Sequence, residues 1–341
     1  MRASPNRACA RTPLLPLRIG SPGAGAPGDP SHRHSSSGGD DEQPLVTIER
    51  GMIVADLGRG NMGEVMLAED TLLGRRVAIK RLHAELLGDP RHRERLRNEA
   101  RIAVQFDHPA IVRVLDLLCE DGADHIVMEY IPGPSLRALR NRGALAISYV
   151  VQIACELTDA LQHVHACGVI HRDLKLENVL TTRDGRPKLN DFGVACSAEC
   201  IDGPGEIVGT PRAMSPEQVA GEPIDPRSDL FSLGVLLYEL VAGASPFAAE
   251  GPIETMQRVL HDLAPSLAEA HPDVPPALAS LVDHLLAKDP AHRPQSANEV
   301  AVRLRALIPG RCLSSASTSR TTCPEAHASR PGGSSARACS G

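Results

Sequence analysis

Tryptophan is absent from this chain of 341 residues, and only four phenylalanines and three tyrosines are present. Any core must therefore be filled by Leu, Val, Ile and Ala, drawn from an apolar content of 42%. Long apolar runs are also missing. None approaches the ~18 residues that a membrane-crossing helix needs. "TPLLPLRIG" (Thr12 to Gly20) is too short and too proline-broken for a signal-peptide core. Neither charge sign dominates: 36 Lys and Arg stand against 42 Asp and Glu, a net charge of −6. That balance leaves no electrostatic footprint for nucleic acid or an anionic membrane. The nine cysteines are an odd number without repeated spacing, which argues against a disulfide scaffold and for a reducing, cytoplasmic setting. "CSAEC" (Cys196 to Cys200) has no second pair at ligand spacing, so it does not read as a metal site. No repeat of roughly 20–50 residues recurs.

Residues 1–45 and 309–341 are rich in Ser, Gly, Pro, Ala and Arg. They hold too little apolar surface to offset the entropy of ordering, so both read as disordered tails. Between them, residues 46–130 read as a strand-rich lobe. "MIVADL", a glycine-rich turn, "EVMLAED", a turn at Leu73-Gly74 and "RVAIKRL" follow in order. A helix over "RERLRNEARIAVQF" (93–106) is closed by Asp107-His108-Pro109, and two more strand-like runs, "IVRVLDLL" and "HIVMEYI", come next. "PGPSL" (Pro132 to Leu136) breaks the pattern, and residues 131–308 read as a helical lobe. "SYVVQIACELTDALQHVHA" stops at Gly168, a C-cap, and "SDLFSLGVLLYELVAG" is apolar almost all round, as a central buried helix is. The fold class is therefore α+β and bilobal. Clefts between lobes of this kind are favoured ligand sites.

"HRDLKLENVLTTRDGRPKLNDFG" (His171 to Gly193) places two acids, an amide and a lysine around one turn. "ENVLTT" and "RPKLND" flank Asp184-Gly185, the pattern of a β-hairpin. Such a hairpin brings Asn178 and Asp191 together although they are thirteen positions apart, with Asp173 close by. Carboxylates and an amide oxygen are hard ligands, suited to Mg²⁺ rather than zinc. Lys175 adds a positive charge, and the combination suits a phosphate group.

"LGRGNMGEV" (Leu57 to Val65) carries Gly58, Gly60 and Gly63 between two strands rather than at the start of a helix. That context argues against a dinucleotide fingerprint and for a glycine hairpin whose backbone N–H groups lie over phosphates. Lys80 follows in "VAIK", an apolar strand where an ammonium needs a partner. Leu96, Glu99, Ala103 and Phe106 recur at helical spacing, so Glu99 stands in an apolar stripe and must be paired. Lys80 and Glu99 are the expected partners. His163 and His165 sit two apart on a helix and point apart, and Cys155 and Cys167 read as packing residues.

These motifs, with Ser215-Pro216-Glu217, Asp229 and Arg293 in the same order, resemble the eukaryotic-like serine/threonine protein kinases over about 46–308. "GRGNMGEV", "GTPRAMSPEQ" and "SDLFSLG" are most similar to the bacterial branch. The resemblance implies ATP and Mg²⁺, and protein substrates with Ser/Thr acceptors. It implies that Asp173 orients the acceptor hydroxyl and takes its proton, and that Lys175 meets the γ-phosphoryl group. Asn178 and Asp191 would hold the metal, and Lys80, paired with Glu99, the α/β-phosphates. Leu57, Val65, Ala78 and Leu180 would sandwich the adenine, with Met128 guarding its pocket and Glu129, Tyr130 and Ile131 forming the hinge. Asp229 would anchor the catalytic loop, and Glu217–Arg293 would be a structural ion pair. Many bacterial members carry a membrane helix and an outer sensor domain. This sequence shows neither, the pattern of a soluble member or a truncated gene. The resemblance leaves oligomeric state open.

Three positions depart from the family pattern. Ala213 replaces a tyrosine, which loosens substrate-loop packing, and Ala103 replaces a larger apolar residue behind the glutamate-bearing helix. The segment from Asp191 to Glu217 has only Ser197, Thr210 and Ser215 as hydroxyls, against the acids Glu199, Asp202 and Glu206. Thr210 matches a threonine that contacts the catalytic loop, which leaves Ser197 as the phosphorylation candidate facing Arg172. Alternatively Glu206 pairs with Arg172 as a permanent, weaker substitute for a phosphate; a solvated acidic loop is the plain alternative. Two other functions compete: a nucleotide-binding scaffold without catalysis, and a small-molecule phosphotransferase.

Overall fold

Short apolar runs rich in Val and Ile, separated by turn residues, build the first part of the chain into strands. The computed structural model describes residues 47–48, 51–60, 62–120, 122–197 and 210–308. Strands β1 (Thr47–Ile48), β2 (Gly51–Arg59), β3 (Gly63–Asp70) and β4 (Arg75–Leu82) are followed by helix α1 (Pro90–Ala103), β5 (Val114–Glu120) and β6 (Ala123–Glu129). The six strands form one antiparallel sheet in the order β1-β2-β3-β4-β6-β5. The Leu73-Gly74 turn closes as its sequence requires: the Gly74 N–H donates to Asp70 O at 2.8 Å, and Asp70 Oδ1 accepts from the N–H groups of Leu72 and Leu73.

Register assigns the two faces of this sheet. Val65 is opposite Lys80, and Ala78 is opposite Met128, so these side chains share one face with Asp124 and Ile126. Ala68, Val77, Ile79 and Val127 form a core on the other face, against which Ile53, Leu115 and Leu118 pack.

Helix α1 begins and ends three residues before the 93–106 span expected from the sequence. Pro90 tolerates the first helical position because its missing N–H has no partner there, and the Asp89 carboxylate accepts from Arg91 N–H at 2.9 Å. The turn at 104–105 releases the chain early, so Phe106 lies outside the helix yet remains buried.

Helices dominate from Ile131 onward: α2 (Leu136–Arg142), α3 (Ile147–Ala166), β7 (Val169–Ile170), β8 (Val179–Thr181), β9 (Pro187–Leu189), β10 (Cys196–Ser197), α4 (Pro216–Ala220), α5 (Pro226–Ala242), α6 (Pro252–His261), α7 (Leu267–Ala270), α8 (Pro276–Leu285) and α9 (Ala297–Arg305). α3 stops one residue before Cys167 and Gly168, where φ is +71°. α5 is buried without interruption from Ser228 to Leu240, as its apolar sequence requires. β8 and β9 are the hairpin around Asp184-Gly185, with Val179 opposite Leu189.

The described residues divide into two compact units, one of those up to Ala100 with Arg113–Tyr130, the other of Arg101–Val112 with those from Ile131 on. The sequence division at residue 130 assigned 101–112 to the first lobe. The backbone ties that segment to the hairpin instead: Val112 N donates to Leu189 O, and Leu189 N to Ala110 O, each at 2.8 Å. No helix among the described residues is long and apolar enough to cross a membrane.

Candidate active site

In the first unit, Gly58 lies on β2, Gly60 in the turn after it and Gly63 at the start of β3. Gly58 has φ +155°, a backbone conformation that side-chain-bearing residues rarely adopt. Gly60 N donates to Gly63 O at 2.8 Å, closing the turn. Gly63 is required by close approach, because a Cβ there would lie 2.0 Å from Arg81 O on β4. One glycine thus serves strand packing rather than the turn itself. The turn is also held from the end of β4, where His83 Nε2 donates to Gly60 O at 2.8 Å. No sequence pattern marks His83 for this role.

Lys80 Nζ donates to Glu99 Oε1 at 2.6 Å, joining β4 to α1 as the stripe argument expects. On the same face lie Val65, half-buried, with Ala78 and Met128, both buried. Leu57 is exposed on β2. Glu129 is committed to β5's approach: its N–H donates to Arg113 O at 3.0 Å and its carboxylate accepts from Arg113 N–H at 2.9 Å.

In the second unit, the loop between β7 and β8 converges on Asp173. Asn178 Nδ2 donates to Asp173 O at 2.9 Å and to its Oδ2 at 3.0 Å. Lys175 Nζ donates to Asp173 Oδ2 and to Thr210 Oγ1, both at 2.6 Å, and Thr210 N donates to Asp173 Oδ1 at 3.1 Å. Asp173 is thus fixed through both carboxylate oxygens. Asn190 N donates to Asn178 O at 2.8 Å, which brings Asp191 to the hairpin's end beside Asn178. Ile131 is buried, and Leu180 is half-buried on β8, bridged to Ser135.

The loop is strained and held. Arg172 (φ +70°) and Asp191 (φ +66°) are the non-glycine residues with positive φ among those described. Strain of this kind persists only where surroundings over-determine it. Here Asp229, at the start of α5 and fully buried, accepts from the N–H groups of His171 and Arg172, each at 2.9 Å. Gln218 Nε2 donates to Arg172 O at 2.9 Å, so the strained peptide is gripped at both ends. Burial pushes the Asp229 carboxyl up, but His165 Nε2, 2.8 Å away, and the loop N–H groups outweigh burial and hold it below the usual range. His165 therefore has a role that its helical spacing did not reveal, while His163 faces the rings of Phe106 and His108.

Arg293 and Glu217 form the expected buried pair, bidentate at 2.7 and 2.8 Å. Ala213 is buried, and its carbonyl accepts from Ser232 Oγ at 2.6 Å. Phe106 packs on Phe192 at 4.9 Å between ring centroids, and Phe192 on His171 at 4.8 Å. Ser197 pairs through its backbone with Val169. Glu199, Asp202 and Glu206 lie outside the described residues, as does Cys200.

Among the described residues no three His, Cys, Asp or Glu side chains cluster as a metal site. The donor set at the hairpin's end is smaller: one carboxylate, Asp191, and one amide, Asn178, whose NH₂ group is spent on Asp173. Two hard oxygen donors fit Mg²⁺, which keeps water and phosphate oxygens as its remaining ligands.

Residues 52–303 match the family model described as "Protein kinase domain". The chain is 39% identical over 264 residues to a "probable serine/threonine-protein kinase" of Streptomyces coelicolor, covering 74% of this chain and 39% of that protein. It is 39% identical over 276 residues to the serine/threonine-protein kinase pkn2 of Myxococcus xanthus, covering 77% of this chain and 33% of that protein. It is 36% identical over 260 residues to the serine/threonine-protein kinase PknA of Mycobacterium tuberculosis, covering 74% and 60%. The chain thus spans less than two thirds of the length of these relatives. The matched span contains every glycine, lysine, carboxylate and amide of the two clusters above, and the chain belongs to the protein kinase domain family.

Proposed function

We propose that the chain transfers the γ-phosphoryl group of ATP to Ser/Thr hydroxyls of protein substrates, its own included. The observation that carries the reading is Asp173, held through both carboxylate oxygens by Asn178, Lys175 and Thr210. A carboxylate fixed in this way can orient an acceptor hydroxyl and take its proton. Lys175 supplies positive charge for the γ-phosphoryl group as the hydroxyl oxygen approaches it.

In the first unit, Lys80 is assigned to the α/β-phosphates with Glu99 fixing its position, and the backbone of Gly58, Gly60 and Gly63 to covering the phosphates. Leu57, Val65, Ala78, Met128 and the 129–130 backbone of this unit are assigned to adenine. Asn178 and Asp191 would hold Mg²⁺, which when bound neutralises phosphate charge. A cytoplasmic location and the absence of a nucleic-acid partner are part of the same reading.

Incubation with labelled ATP and a generic protein tests it. Phosphoserine and phosphothreonine are expected on the substrate and on the chain, and none with Asp173→Asn. Nucleotide binding without transfer would favour a scaffold, and transfer only to small molecules would favour the alternative phosphotransferase.

A further inference from the structure

α1 has little apolar grip. Its buried hydrophobic side chains are Leu96, Ala100, Ile102 and Ala103, two of them alanine. Charge holds it to the sheet instead, at two places. One is Glu99 on Lys80. The other is Asp124, the second residue of β6 and only 1% exposed. Its Oδ2 lies 3.2 Å from Arg93 Nε and 3.0 Å from Arg97 Nε, and its Oδ1 accepts from an Arg97 terminal nitrogen at 3.1 Å. Arg93 and Arg97 are four apart, hence stacked on one face of the helix. Asp124 and Lys80 lie on one face of the sheet, because Lys80 is opposite Ile126, two residues beyond Asp124.

We propose that Asp124 is a positioning residue. By clamping Arg93 and Arg97 it fixes the rotation and height of α1, and so keeps Glu99 on Lys80. A buried carboxylate is kept only where it is paired, and here both oxygens are engaged from successive turns of one helix. Burial pushes the Asp124 carboxyl up, but the hydrogen bonds and charges of Arg97 and Arg93 together outweigh burial and hold it below the usual range, so the clamp is charged at neutral pH. The clamp lies wholly within the first unit and needs no phosphate to form.

The inference rests on the kinase reading, and its test keeps the two apart. Steady-state kinetics on the full chain are measured for the wild type, Asp124→Asn, Asp124→Glu, Glu99→Gln and the double variant Asp124→Asn/Glu99→Gln. Asp124→Asn is expected to raise the KM for ATP and lower kcat/KM about tenfold, and Asp124→Glu to recover part of the loss. With Glu99 already changed, Asp124→Asn should add less than about twofold, since it acts through that pair. Should Asp124→Asn fold poorly, Arg97→Gln, at a partly exposed position, replaces it in the same cycle. Unchanged kcat/KM in the Asp124 or Arg97 variant, or an equal loss in both Glu99 backgrounds, overturns the proposal while the kinase reading stands. A wild-type chain that transfers no phosphate overturns both.

Discussion

Lys80 and Glu99, nineteen residues apart, meet at 2.6 Å between β4 and α1. An ammonium and a carboxylate, both largely withdrawn from water, are tolerable there only together. Glu99→Gln should therefore leave Lys80 misplaced rather than merely weaken a contact. A fall in kcat/KM of about a hundredfold or more is expected in steady-state assays. A fall smaller than about threefold would show that Lys80 does not depend on its partner.

The glycine turn is tethered by His83, whose ring reaches Gly60 O at 2.8 Å. The bond is exposed and worth about 0.5–1.5 kcal/mol. His83→Ala should raise the KM for ATP about three- to tenfold with little change in Tm. A lower Tm at constant KM would assign His83 to stability alone.

Burial pushes the Glu217 carboxyl up, but the hydrogen bond and charge of Arg293, with hydrogen bonds from Ser228 and the backbone, together outweigh it and hold it below the usual range. Removing one partner leaves a buried charge alone. Arg293→Gln should cost about 3–5 kcal/mol in urea unfolding, whereas replacing both partners by methionine should cost much less. Equal costs for the single and double variants would contradict this.

Two histidines set the response to mild acid. Burial, then His163, lowers the value of His108, and burial, then Arg81, lowers that of His125, each from 6.5. The unfolded chain then takes up protons before the folded one. Their contribution is fully present above pH 6.5 and is lost as pH falls through the folded values. Glu217, Asp229 and Asp124 are lowered too, but from carboxylate values of 3.8 to 4.5, so their loss comes later. Tm should fall between pH 7.5 and 5.5, and His108→Gln with His125→Gln should flatten that fall. A Tm unchanged over this range in the wild type would contradict the assignment.

Local chemistry made much of this legible in the sequence. Asp184-Gly185 marks the hairpin because its turn requires φ of +79° at Gly185. Glu99 in an apolar stripe had to find a cation, and Lys80 was the misplaced one. What escaped was set by tertiary contact. Asp124, His83 and His165 carry no periodic or motif signal, and each acquires its role from a partner at least 23 positions away; Gln218 closes a quoted motif, but its grip on Arg172, 46 positions away, is not written there. Helix α1 shifted because Asp89-Pro90 starts a helix more strongly than the charged run after it suggested. Phe106 kept its buried place although the helix ended before it, since Phe192 packs against it.

Asp173 is the group proposed to aim an acceptor hydroxyl at the γ-phosphoryl group. Purified wild-type chain and Asp173→Asn, matched for nucleotide affinity, should be compared for transfer of labelled phosphate to a Ser/Thr protein. The account predicts transfer by the wild type and a loss of about a thousandfold or more in the variant, with nucleotide still bound. Equal transfer by both would contradict it.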